Sequence, residues 1–175
     1  MPTPISHGIF GAAIGAIAAR VVPELPVWQA VATGALSAAL PDIDVVFELR
    51  HAIVAKSSRY RVFTHRGITH SLFVAPLLVM LMRGFDASGP LSAVVFWGYQ
   101  SHLLLDLFNG RDGVALLLPF TRRRYRFRWR PIRSIPLSTR VLQPSYLGKV
   151  SAGVASEVAW IWSCAAILAA LTYVF

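Results

Sequence analysis

Four histidines and three aspartates stand out in a chain that is 55% hydrophobic and only 14% charged. They fall in short clusters: His7 in "SHG", Asp42 and Asp44 in "LPDID", His65 and His70 in "FTHRGITHS", and His102 and Asp106 in "SHLLLDLFN". Imidazole nitrogens combined with carboxylate oxygens suit zinc, and also manganese, iron or nickel. His102 and Asp106 stand at i and i+4, so on a helix they share one face and can share an ion. If the segment after Pro41 is extended, Asp42 and Asp44 point the same way. His65 and His70 are five apart, a poor match to one helical face, so His70 is expected at a helix start and His65 in the loop before it. Seven groups exceed what one tetrahedral ion needs. Either some support the ligands, since a ligating histidine often donates its other N–H to a carboxylate, or two ions are held. Two ions about 3.5–4 Å apart favour phosphoester or amide hydrolysis, lowering the pKa of water to about 7 and polarising the substrate oxygen. Asp44 is the candidate general base, with a supporting or bridging role as alternatives. Arg66 is suited to an anionic phosphate, or is one more basic residue at a membrane surface.

These residues must be positioned by apolar elements. A soluble domain carries about 25% charged residues; the deficit here, with a mean hydropathy of +0.57, points to a membrane domain. Apolar runs cover residues 5–22, 27–40, 71–82, 90–107 and 152–175. A hydrocarbon core needs roughly 20 residues of helix, with about 17 as a minimum. The second and third runs are short and must tilt or insert partially. The expected fold is therefore an all-α integral membrane helical bundle with four or five membrane helices. No Lys or Arg precedes the first run, so it reads as a retained helix rather than a signal peptide. Gly11 and Gly15 form a small-xxx-small pair suited to close helix packing. Residues 48–63, with His51, suggest a short interfacial helix. A single cysteine, Cys164, excludes an internal disulfide.

Charge asymmetry orients the bundle. Fifteen Lys and Arg fall in the connections after the second and fourth runs, and only Arg20 and Arg83 in the opposite ones. By the positive-inside rule the basic side is cytoplasmic. His7, Asp42, Asp44, His65, His70, His102 and Asp106 then all lie at that one face. The chain reads as a single domain over residues 1–175: a motif-bearing part (1–120), a basic-aromatic cytoplasmic loop (121–150) and a terminal membrane helix (152–175).

Taken together, "HG" at 7–8, "LPDID", "HRGITHS", "HLLLDLFN" and the following "GVALLLPF" resemble the inner-membrane metal-dependent hydrolase family typified by YdjM, over roughly the first two-thirds of the chain. That resemblance implies a multi-pass protein of the bacterial inner membrane and a hydrolase. More distantly, the order of motifs is similar to zinc-dependent phospholipase C. By that likeness His7, Asp42, His65 or His70, His102 and Asp106 are metal ligands, and the expected ligand set takes in both His65 and His70. No histidine follows His102, so a trinuclear site is not expected, and one or two ions are.

The stretch "RRRYRFRWRPIR" alternates arginines, from Arg122 to Arg133, with Tyr125, Phe127 and Trp129. Extended, it puts aromatics on one face and guanidinium groups on the other. Beside membrane helices this favours anionic lipid over nucleic acid. The expected function is metal-dependent hydrolysis of a lipid-like phosphoester, with zinc or manganese. The alternatives are a structural metal without catalysis, or an ion transporter, which would need a polar path to the opposite face.

Overall fold

The computed structural model describes residues 3–44, 66–108, 113–129, 131–132 and 144–174. The fold is all-α. Helix α1 spans Pro4–Val21, α2 Val27–Ala39, α3 Val74–Gly84, α4 Gly89–Leu107, α5 Pro144–Glu157 and α6 Ser163–Val174. A π-helical turn, Val158–Trp162, joins α5 to α6 in one continuous rod. Among the described residues there is no strand, only an isolated antiparallel bridge between Val114 and Tyr125.

Local sequence explains the helix ends. Thr3 caps α1, its side chain accepting from the Ser6 N–H, with Pro4 in the first turn, where its missing N–H does no harm. Ser88 and Pro90 do the same for α4, the Ser88 hydroxyl accepting from Leu91 N–H at 3.3 Å. Helix α2 does not stop cleanly at Pro41. It tightens into a 3-10 turn over Leu40–Ile43, because proline lacks the N–H needed to continue the α-helical ladder.

Helices α1, α2 and α4 pack together, α3 lies against α4, and α6 against α1. The small-residue stripe of α1 makes close contact with α2. A Cβ on Gly34 would stand 2.2 Å from the Gly11 carbonyl oxygen, and one on Gly11 equally close to that of Gly34. The buried core is modest: Ala19, Leu25, Ala30 and Val94 at one end, and Ala75, Tyr99 and Leu103 under α3.

The distribution of polarity is inverted. Trp28, Leu36, Met80 and Phe85 are each more than 70% exposed, while His7, His70, His102, Asp42, Asp44, Asp106 and Arg66 are buried. Exposed apolar surface around a polar interior suits a hydrocarbon surrounding. Two segments are long and apolar enough to cross a membrane: Pro4–Val21, with 18 residues, and Gly148–Leu171, with 24. Among the described residues these two segments meet that test, against the four or five spans expected. Helices α2 and α3 have 13 and 11 residues, hence about 20 Å and 17 Å of rise against a hydrocarbon core of about 30 Å. In α4 the serines, Gln100, His102 and Asp106 lower the hydropathy. The suggested interfacial helix at residues 48–63, with His51, lies outside the described residues.

Gly34→Leu is expected to force α1 and α2 apart and to destabilise the fold by about 1–3 kcal/mol or more. Gly84→Ala, where an added Cβ meets nothing within 4 Å, serves as the neutral comparison. Thermal melting followed by circular dichroism in detergent checks this; equal melting temperatures would refute the close contact.

Candidate metal centre

His102 is completely buried on the inner face of α4, and its Nδ1 lies 2.7 Å from the Ala38 carbonyl oxygen at the end of α2. A carbonyl only accepts, so Nδ1 carries the proton and Nε2 presents a lone pair. That Nε2 faces Nε2 of His70 at 3.0 Å. His70 sits on a 3-10 turn, Ile68–His70, which is fixed from several sides. The Tyr99 hydroxyl donates to the Thr69 carbonyl, Ser71 Oγ donates to Leu118 O at 2.6 Å, and Leu72 N–H donates to Leu116 O at 2.9 Å. The "GVALLLPF" segment therefore braces the "HRGITHS" segment.

The 3-10 turn after α2 separates the two aspartates. At three residues per turn, positions two apart diverge by about 240°, so the expected common direction of Asp42 and Asp44 is not realised. Asp42 Oδ1 faces inward, 3.6 Å from His102 Nε2 and 3.8 Å from His70 Nε2. Asp44 lies on the opposite side of the His70 ring, with Oδ2 3.3 Å from Nδ1. The same oxygen accepts from Thr69 Oγ1 at 2.7 Å and from the Arg66 N–H at 3.0 Å. Asp44 thus orients His70 from behind, a geometry that suits the supporting role better than that of a base.

Asp106, one turn after His102, has Oδ2 at 3.4 Å from His70 Nε2 and Oδ1 at 3.7 Å from His7 Nε2. Arg66 Nη2 donates to Oδ1 at 2.8 Å. Arg66 therefore pairs with a candidate ligand. Its φ of 63° is in the left-handed region, which disfavours a side-chain-bearing residue. The His7 ring stacks on His102, with centroids 3.7 Å apart. His65 lies outside the described residues.

The donor set fits a divalent cation. Two buried triads, His7–His102–Asp106 and Asp42–His70–His102, each bring one ligand atom per residue within 4.8 Å of the others. Both His7 ring nitrogens are buried without a hydrogen-bond partner, which is costly unless a ligand satisfies them. His102 has one lone pair to give, so the triads are alternative placements of one ion where both draw on His102.

Burial opposes a charge on His70, but the carboxylates of Asp106 and Asp44 outweigh it and push its pKa up to about 9.

Glu157 escaped the sequence reading. It is 2% exposed and its carboxylate accepts from the Thr3 N–H at 3.1 Å, from Thr3 Oγ1 at 2.8 Å and from the Ser6 hydroxyl. Trp162 Nε1 donates to Ser6 Oγ at 3.0 Å. The end of α5 and the π-helical turn after it thereby hold the first turn of α1, next to His7. One signal was available: an acidic residue within the apolar terminal run. The described part of the basic-aromatic stretch, residues 121–129, is non-helical, and Phe127 and Trp129 make ring contacts while staying exposed at 39% and 61%. Phe127 meets Phe108 at 4.5 Å and Trp129 meets Trp160 at 5.3 Å, while Arg122, Arg123, Arg124, Arg126 and Arg128 are exposed. Arg130 and Arg133 lie outside the described residues.

Two outcomes are expected from this geometry. Asp44→Asn should weaken metal affinity about 10–100-fold without unfolding the chain, as measured by competition with a chromogenic chelator. Because a cation must displace the His70 proton, metal uptake near pH 7 should release about one proton, and affinity should rise with pH up to about 9. Calorimetry in buffers of different ionisation enthalpy measures this; a pH-independent affinity would refute His70 as a ligand.

The whole chain, residues 1–175, matches the family described as YdjM inner membrane protein, further than the two-thirds that the motifs themselves cover. It is 32% identical over 170 residues to inner membrane protein YbcI of Escherichia coli (strain K12), covering 93% of this chain and 91% of that protein. No solved structure matches it. The chain belongs to the YdjM inner membrane protein family.

Proposed function

We propose that this is a multi-pass, membrane-bound metal-dependent hydrolase whose site faces the cytoplasm and which cleaves a phosphoester in a lipid-like substrate. The observation that carries the reading is the pair of Nε2 atoms of His70 and His102, 3.0 Å apart and each ring oriented from behind. Such rear-side anchoring of imidazoles, by a carbonyl and by a carboxylate, is how metal-binding histidines are held. Zinc or manganese bound there supplies Lewis-acid polarisation of a phosphoryl oxygen and lowers the pKa of water to about 7.

The residues divide the work. The ion is held by His102 with either Asp42 and His70 or His7 and Asp106, His7 stacking on His102. His65 retains the ligand role its motif implies. Asp44 fixes the His70 tautomer and ring angle. Arg66 neutralises part of the charge of Asp106 and places a cation beside a phosphate's approach. Anionic lipid is gathered by the exposed arginines of the 122–133 stretch, each adding about 1 kcal/mol of attraction near the surface.

The complete burial of the ligands favours a second reading, a structural metal that ties α1, α2 and α4 together. Metal content per purified chain is the first test. The expected result is about one equivalent of zinc or manganese in the wild type, absent in His70→Ala and His102→Ala, with hydrolysis of bis(p-nitrophenyl) phosphate lost in parallel. No bound metal in folded wild type would overturn the proposal. Stoichiometric metal whose removal lowers the melting temperature, with no turnover of any phosphoester, would leave the structural reading.

A further inference from the structure

A cleft of about 440 Å³ runs between α1 and α4. One wall is Phe10 and Ile14, which continue the helical stripe that begins at His7. The other wall follows α4 from Trp97 to Leu107, ten residues and about 15 Å of rise. Leu103 forms its floor at 1% exposure, whereas Trp97 and Leu104 are 60% and 46% exposed at its rim, so the cleft is open along its side. Leu107 directly follows Asp106, and Phe10 is one turn from His7. The cleft therefore starts beside the candidate metal ligands and leads away along the bundle.

Its two ends differ in charge. Phe127 N–H donates to the Leu107 carbonyl at 2.9 Å, which brings the exposed Arg126 and Arg128 to the ligand end. Away from that end the lining is aliphatic and aromatic apart from Ser101 and Gln100. The Gln100 Oε1 is buried without a hydrogen-bond partner. Amide oxygen and nitrogen are interchangeable by a flip, so Gln100 can offer an N–H to an ester carbonyl.

We infer that this cleft seats one acyl chain of an anionic glycerophospholipid, with the phosphate at the Leu107 end near Arg126, Arg128 and the metal ligands. The inference rests on the lipid-like phosphoester reading and gives it a substrate class. Lateral opening allows the chain to enter from the bilayer, and the cationic end selects a negatively charged headgroup.

Native mass spectrometry of the full chain, titrated with phosphatidylglycerol in detergent, tests it. One tightly retained lipid per chain is expected, its affinity falling at least about tenfold in Leu104→Trp and in Ile14→Trp, which fill the cleft. Because the filled variants could misfold, the unmodified protein is also photolabelled with phosphatidylglycerol carrying a mid-chain diazirine. Label on Ile14 or Leu103 supports the cleft; label confined to outward residues such as Trp28 and Met80 overturns it, as does retention unchanged by both filling variants. Lipid retained without turnover sustains the cleft and counts against the hydrolase. Turnover of a soluble phosphoester with no lipid retained sustains the hydrolase and overturns the cleft.

Discussion

A carboxylate sealed inside an apolar helix bundle must be answered by cations or donors, and Asp106 imposes that demand on everything around it. Leaving one such ion buried and uncompensated costs several kcal/mol. Arg66 meets Oδ1 at 2.8 Å, His70 approaches Oδ2 and His7 approaches Oδ1. To bring Arg66 there, the backbone takes a left-handed conformation just before Gly67. Tyr99 and Ser71 then hold the turn that follows. The turn over residues 66–71 is thus shaped by electrostatics rather than by helix propensity.

Close helix approach is the second half of the same design. On α1, Gly11 lies one turn after His7; on α2, Gly34 lies one turn before Ala38, whose carbonyl holds His102; on α4, Gly98 lies one turn before His102 itself. A Cβ on Gly98 would stand 2.1 Å from Ser37 Oγ. Each helix therefore brings a small residue to the crossing and a site residue one turn away on the same stripe. The stacking of His7 on His102 at 3.7 Å follows from backbones that nearly touch.

Much of this was legible in the sequence, because the residues concerned obey helical periodicity. His102 and Asp106 at i and i+4 had to share a face, and Gly11 with Gly15 announced a close crossing. What could not be read were departures from regular structure. The extended conformation expected after Pro41 is a 3-10 turn, so Asp42 and Asp44 separate to opposite sides of His70 instead of acting together. Arg66 was legible as a cation, but its pairing depends on a positive φ that no local pattern requires. Glu157 meets α1 only through tertiary packing. The short second and third runs were legible as such: α2 and α3 have 13 and 11 residues.

The clasp between Glu157 and the start of α1 joins residues 154 positions apart. During synthesis at about 5–20 residues per second, the start of α1 is made about 8–31 seconds before its carboxylate partner. Until then the Thr3 and Ser6 donors lack that acceptor, and the turn bearing His7 lacks its final anchor. Maturation of the centre is thereby deferred to the end of translation. A truncated chain that stops before α5 retains all the His/Asp motifs and lacks the contact that holds the turn bearing the first of them.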